Sequence, residues 1–233
     1  MRHAGQAGPF IFLLCAVMIL GSCTPARFCR ESQRTDLLAT GLVGWQVIGS
    51  EQGRWRLTDG VLTGRASSDA ASAGADASAA SGAGWLATVD QYGDFVLSLE
   101  FRISPGADGG VFLRSPLRGD PSHAGIEVQI LDDATREWGD LQPDQFTGSL
   151  FDIQAPSERA GRGAGQWQQM AIKCRGSRIA VALNGKQVVD TDVTFYPYLY
   201  ERHPGLTRRS GYIGLQVESG VIEFRNIHIE PLE

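Results

Sequence analysis

From Phe95 to Ile103 the side chains alternate, with Phe95, Leu97, Leu99, Phe101 and Ile103 pointing one way and Ser98, Glu100 and Arg102 the other. A period of two is the repeat of an extended chain, so this segment reads as a strand with one buried face. The pattern returns at Gly125–Leu131, where Ile126, Val128 and Ile130 oppose Glu127 and Gln129, and at residues 168–173, where Gln168, Met170 and Ile172 oppose Gln169, Ala171 and Lys173. Shorter apolar runs follow Trp45, Trp55, Val61, Val111, Leu150, Ile179, Lys186, Tyr212 and Val221. Two of the connections, Asp59-Gly60 and Asn184-Gly185, are dipeptides suited to the tight turns that join hairpin strands. No amphipathic helix of ten or more residues interrupts the series. Ten or more short strands at this spacing imply an all-β chain of two antiparallel sheets, packed as a sandwich or jelly roll.

The two ends of the chain differ in kind. Arg2 and His3 precede an apolar stretch from Pro9 to Leu20, too short to span a bilayer but suited to the hydrophobic region of a secretory signal. It runs into Leu20-Gly21-Ser22-Cys23, which resembles a bacterial lipobox. In such signals the cysteine is diacylated and becomes the mature N-terminus, and two signals together anchor stably where one acyl chain does not. Residues 1–22 are therefore expected to be a lipoprotein signal, Cys23 the lipidated residue, and 23–40 a tether. The expected location is the bacterial cell envelope, periplasmic or at the outer membrane, with membrane contact through the lipid alone. The domain is expected to fill 41–233. Within it, 65–84 reads as a flexible loop, because from Ala66 to Gly84 every residue except Asp69 and Asp76 is Ala, Ser or Gly. Such a tract carries little side-chain surface to offset the entropy of ordering.

A net charge of −5 over 233 residues, with no run of Lys or Arg, argues against a partner held through nucleic-acid phosphates. Once Cys15 leaves with the signal and Cys23 is lipidated, Cys29 and Cys174 remain. They suit free or buried thiols better than a disulfide, since Cys29 lies in the tether, and no Cys/His spacing suggests zinc.

The polar strand faces hold the candidates for chemistry. Glu127 and Gln129 sit side by side on one face, about 7 Å apart by the strand repeat. Glu100 and Arg102 share a face of another strand, and Arg114 points away from Val111 and Leu113. A mixture of carboxylate, guanidinium and amide matches sugar hydroxyls, which both donate and accept, provided these strands lie in one sheet. Trp138, Trp167, Tyr196, Tyr198 and Tyr200 offer platforms for sugar rings. His123, His203 and His228 read as surface or packing residues. No nucleophile elbow, phosphate loop or HExxH helix is present.

Taken in order, Gly84-Trp85-Leu86-Ala87-Thr88, Tyr92-Gly93-Asp94-Phe95, Leu99-Glu100-Phe101-Arg102, Gly110-Val111-Phe112-Leu113-Arg114, Ile126-Glu127-Val128-Gln129-Ile130-Leu131-Asp132, Thr147-Gly148-Ser149-Leu150-Phe151-Asp152, Gly211-Tyr212-Ile213-Gly214-Leu215-Gln216 and Phe224-Arg225-Asn226-Ile227 resemble the domain of unknown function 1080, also named the 3-keto-disaccharide hydrolase domain. The resemblance spans about residues 41–233. It implies a concanavalin-like jelly roll and action on 3-keto glycosides or disaccharides. A ketone at C3 acidifies the C2 hydrogen, so a base can remove that proton and the enolate can expel the C1 substituent. On this resemblance Glu127 or Asp132 is the expected base and Arg114 the enolate stabiliser. Gln129, Arg102, Glu100 and Trp138 are the expected sugar contacts, and a divalent ion at Glu127 or Asp132 would replace or assist Arg114. One departure stands out. The family's Leu-Gln pair is commonly followed by Asp-His-Gly, whereas here Leu215-Gln216 precedes Val217-Glu218-Ser219-Gly220, which leaves Glu218 where a histidine is expected. The competing readings are a lectin-like module that binds carbohydrate without cutting it, and a surface interaction protein.

Overall fold

The computed structural model describes residues 34–49, 55–66, 84–135 and 138–233. The expected signal, the lipidation at Cys23, Cys29 and nearly all of the Ala/Ser/Gly loop lie outside the described residues.

Among the described residues, thirteen strands form two antiparallel sheets, as the alternation anticipated. They are β1 (Thr35–Asp36), β2 (Trp45–Ile48), β3 (Trp55–Thr58), β4 (Val61–Arg65), β5 (Trp85–Tyr92), β6 (Phe95–Ile103), β7 (Asp108–Ser115), β8 (Ile126–Leu131), β9 (Gln168–Arg175), β10 (Arg178–Leu183), β11 (Lys186–Asp192), β12 (Gly211–Ser219) and β13 (Val221–Pro231). One sheet runs β11-β10-β9-β6-β13-β4-β3, with β1 also pairing to β13. The other runs β2-β5-β12-β7-β8. A single helical turn, α1 (Pro121–Ala124), joins β7 to β8 and is capped by the Asp120 side chain. Thr35 and Asp36, within the segment read as a tether, lie opposite Ile229 and His228 of β13.

The core is the pair of inner faces. Phe95, Leu97, Leu99, Phe101 and Ile103 of β6 meet Val111, Leu113, Ile126, Val128, Ile130, Ile213 and Leu215 from the five-stranded sheet, all buried. Each such side chain contributes about 1.5–3 kcal/mol relative to leaving it in water. In β13 the buried set is Ile222, Phe224, Ile227 and Ile229, which breaks strict alternation. The register slips between Arg225 and His228, and Asn226 takes a φ of 52°, so a bulge turns Ile227 inward.

Both turn signals hold, since Asp59-Gly60 and Asn184-Gly185 all have positive φ. Leu150–Ile153, expected to be a strand, is instead a turn bridged at Leu150 to Val128 and Gln154. It serves β8, which would otherwise be a bare edge. The Gly148 and Phe151 amides donate to the carbonyls of Gln129 and Glu127, at 2.9 and 3.0 Å, and the Gln129 amide donates to Ser149. β5 escaped the alternation pattern because Trp85, Leu86, Ala87 and Thr88 are buried in succession, on both faces of the sheet.

Candidate active site and an adjoining histidine cluster

The outer face of the five-stranded sheet gathers a set of buried polar and acidic side chains. Phe112 pairs with Glu127 and Gly214, and Gly110 pairs with Gln129 and Gln216, so these side chains share a face by register. Two glycines make room on it. A Cβ at Gly110 would stand 2.2 Å from Glu127 Oε1, and one at Gly214 would stand 2.3 Å from the Trp85 ring. Glu127 therefore lies across Gly110, and Trp85 across Gly214. Trp85, Ala87 and Phe112 form an apolar floor with Ile48, Leu117 and Tyr212 packed against it, and Trp85 meets Phe112 edge to face at 5.4 Å.

Carboxylates crowd this floor. Glu127 is only 5% exposed. Burial, followed by the charges of Asp108, Glu218 and Asp120, holds its carboxyl well above the usual carboxylate range. Asp108 accepts a 2.8 Å hydrogen bond from the Gln129 amide. Burial and the charge of Glu218 still push it up to about 7, against the lowering effect of the Gln129 and Gly109 donors. Glu218, exposed by surface area but crowded by neighbouring chain, is raised first by lost hydration and then by Asp120. Every charged neighbour that acts on Glu127 is another acid, so these carboxyls oppose one another's ionisation.

Of the residues singled out from the sequence, the fold brings Glu127 and Gln129 together and disperses the others. Glu100 and Arg102 belong to β6, in the other sheet, so the expected single polar face does not exist. There Glu100 binds Arg225 and Asn226, and Arg102 binds Glu223 at 2.5 Å. Arg102 and Arg225 both stack on Trp167, at 4.8 and 4.0 Å. The expectation for Arg114 is corrected. Its residue is fully buried, and its guanidinium donates to the carbonyls of Gly93, Gly176 and Arg208 and to Asp94. A φ of 53° at a register irregularity turns it into that clamp. Asp132 is corrected too, because its carboxylate accepts from the Gly106 and Ala134 amides, pinning the turns on either side of β7 and β8. Trp138 is half-buried with its indole N–H unpartnered. Tyr196 bonds to Thr191 and Gln154, and Tyr198 is 75% exposed. Cys174 is buried in the core, which pushes its thiol up to about 12.

Two groups were missed. Asp108 opens β7 before any alternation is established, so nothing in the sequence set its face. His123 and His203, read as unconnected, stack with ring centroids 4.5 Å apart. Asp120 holds His123 Nδ1 at 2.9 Å, which raises the His123 pKa, while burial and then His123 lower that of His203 to about 4.

This two-sheet jelly roll with an acidic outer face is of the concanavalin type, a fold shared with a Bacillus licheniformis beta-glucanase (TM-score 0.53, 11% identity, 87% of this chain and 98% of that one). The 3-keto-alpha-glucoside-1,2-lyase-like domain family matches residues 35–230, and the chain belongs to that family. A Parabacteroides distasonis protein described as a candidate glycosyl hydrolase is similar at 26% identity and a TM-score of 0.69, over 86% of this chain and all of that one. A second from the same organism, likewise described, reaches a TM-score of 0.70 at 19% identity, over 86% and 94%. No curated protein sequence matches.

Proposed function

We propose that the outer face of the five-stranded sheet binds a 3-keto glycoside and eliminates its C1 substituent, with Asp108, Glu127 and Glu218 sharing the proton transfers. Family membership and the candidate glycosyl hydrolases among its relatives support a carbohydrate substrate. The observation that carries the reaction is the crowding of Asp108, Glu127 and Glu218 on one sheet face, where burial and mutual charge raise their carboxyl pKa values. Carboxyl groups pushed apart in pKa by their surroundings divide into acids and bases.

Asp108, near 7, takes the C2 proton made acidic by the C3 ketone. The C2–H electron pair forms the enolate, whose oxygen is met by the carboxyl of Glu127, where burial favours the proton-bearing form. The enolate then collapses, C1–O breaks, and Glu218 delivers a proton to the departing oxygen. Water adding to the resulting double bond completes a net hydrolysis. The amides of Gln129 and Gln216 match sugar hydroxyls, and Trp85 and Phe112 supply the apolar floor.

The test compares Glu127→Ala with Glu127→Gln on a 3-keto α-glucoside. Loss of the oxyanion donor is expected to cost about 10²–10³ in kcat in the Ala variant, with partial retention in the Gln variant, which keeps an N–H donor. Equal, wild-type turnover in both would remove Glu127 from the reaction. Binding of the sugar with no product from the wild-type protein would favour a carbohydrate-binding module instead.

A further inference from the structure

Beside the acidic face, three chain segments far apart in sequence converge. His123 comes from α1, Asp152 from the turn that covers β8, and His203 from the loop ahead of the short helix Pro204–Thr207. One ligand-capable atom from each lies within 4.8 Å of the others. We propose that these three residues bind a borderline divalent cation of the Zn²⁺ or Co²⁺ kind.

His203 is the observation that points to a ligand. Its residue is 0% exposed, and both ring nitrogens are buried without a hydrogen-bond partner. Buried imidazole nitrogens are normally satisfied, and two orphans on one ring need an explanation. The fold goes to some length to hold this ring in place. A Cβ at Gly205 would stand 1.7 Å from the Gly125 carbonyl oxygen, so only glycine lets the His203 loop press against the end of α1. Asp152 keeps a φ of 61°, a left-handed conformation that aspartate tolerates but most residues avoid.

His123 is oriented from behind. Its Nδ1 is engaged by Asp120 at 2.9 Å and Ser122 at 3.0 Å, which leaves Nε2 as its available donor. A carboxylate on the far nitrogen is the arrangement that fixes the tautomer and ring plane of a ligating histidine. Arg202 pairs with one oxygen of Asp152 and leaves the other. Two imidazoles and one carboxylate favour a first-row divalent ion over Ca²⁺ or Mg²⁺, which prefer oxygen. Tetrahedral bonds of about 2.0–2.2 Å bring neighbouring donors to roughly 3.3–3.6 Å, so coordination draws the three residues together by up to about 1.5 Å. Three protein donors leave a coordination position open to water or a ligand. The site is independent of the reaction proposed above.

The test is a Co²⁺ titration of the full-length chain after dialysis against a chelator, followed by d–d absorption, with Zn²⁺ competition. One ion per chain is expected. His123→Ala and Asp152→Asn should each weaken binding at least about tenfold, with the metal-free melting temperature little changed, since both side chains are half-exposed. Glu127→Gln should bind as wild type. The half-exposed His123 keeps the proposal falsifiable even where a His203 substitution unfolds the protein. Absence of stoichiometric binding by the wild type, or binding that survives in His123→Ala and Asp152→Asn, overturns it. So does binding lost in Glu127→Gln, which would assign the ion to the acidic face.

Discussion

Replacing Arg114 by methionine keeps a long side chain in place and removes every donor. The guanidinium ties together the β5–β6 turn at Gly93 and Asp94, the β9–β10 turn at Gly176, and Arg208 ahead of β12. The Asp94 carboxylate that faces it also accepts from the Gly176 amide, so one substitution loosens two turns at once. Asp94 is one-third exposed and adds little, but the carbonyls of Gly93, Gly176 and Arg208 lose their buried donor at about 1–3 kcal/mol each, for a loss of about 3–5 kcal/mol. In a domain of this size each kcal/mol moves the melting temperature by about 2–4 °C, so Arg114→Met is expected to melt about 6–20 °C lower by calorimetry. Arg102→Met is the control. Its ion pair with Glu223 is partly exposed, of a kind worth about 0–1 kcal/mol. Melting of Arg114→Met within about 2 °C of wild type, with turnover lost, would refute the clamp and return Arg114 to the chemistry.

Asp108→Asn should stabilise the protein more at pH 8 than at pH 5. Asp108 titrates near 7 when folded and near 4 when unfolded, so between those values the folded state binds more protons and stability falls as pH rises. Removing the charge removes that loss, which melting curves at the two pH values would detect. The same titration predicts turnover that falls as pH drops through about 7, because the base must be ionised. Gly110→Ala, whose new Cβ would stand 2.2 Å from Glu127 Oε1, is expected to displace that carboxyl and depress kcat. Overpacking of this kind costs about 1–3 kcal/mol of stability, so unchanged kinetics would place Glu127 elsewhere. The lipobox reading predicts the wild-type chain in the membrane fraction and Cys23→Ser in the soluble one on cell fractionation.

Alternation made β6 and β9 legible residue by residue, because a strand with one buried face writes its orientation into every second side chain, and it oriented β8 by side-chain polarity although both faces of β8 are buried. It does not say which strands are neighbours. Glu100 and Glu127 look alike in sequence, yet the sheet order sends them to opposite sides of the molecule. The inward turn of Arg114 depends on a left-handed backbone angle at a register slip, which no pattern of period two can contain. The histidine cluster depends on loop closure. His123 and His203 meet because Gly205 permits contact with Gly125, a tertiary fit between segments that neither reveals alone. The order of short motifs carried the family, since it survives where any single motif would be ambiguous.

In the proposed reaction Asp108 removes the C2 proton on the outer face of the five-stranded sheet. The direct measurement follows the C2–H signal of a 3-keto α-glucoside by proton NMR with wild-type and Asp108→Asn protein. Wild type is predicted to consume the C2–H signal and release the C1 substituent together, and Asp108→Asn to do so at least about 10²-fold more slowly. Release by Asp108→Asn at the wild-type rate would rule out Asp108 as the base.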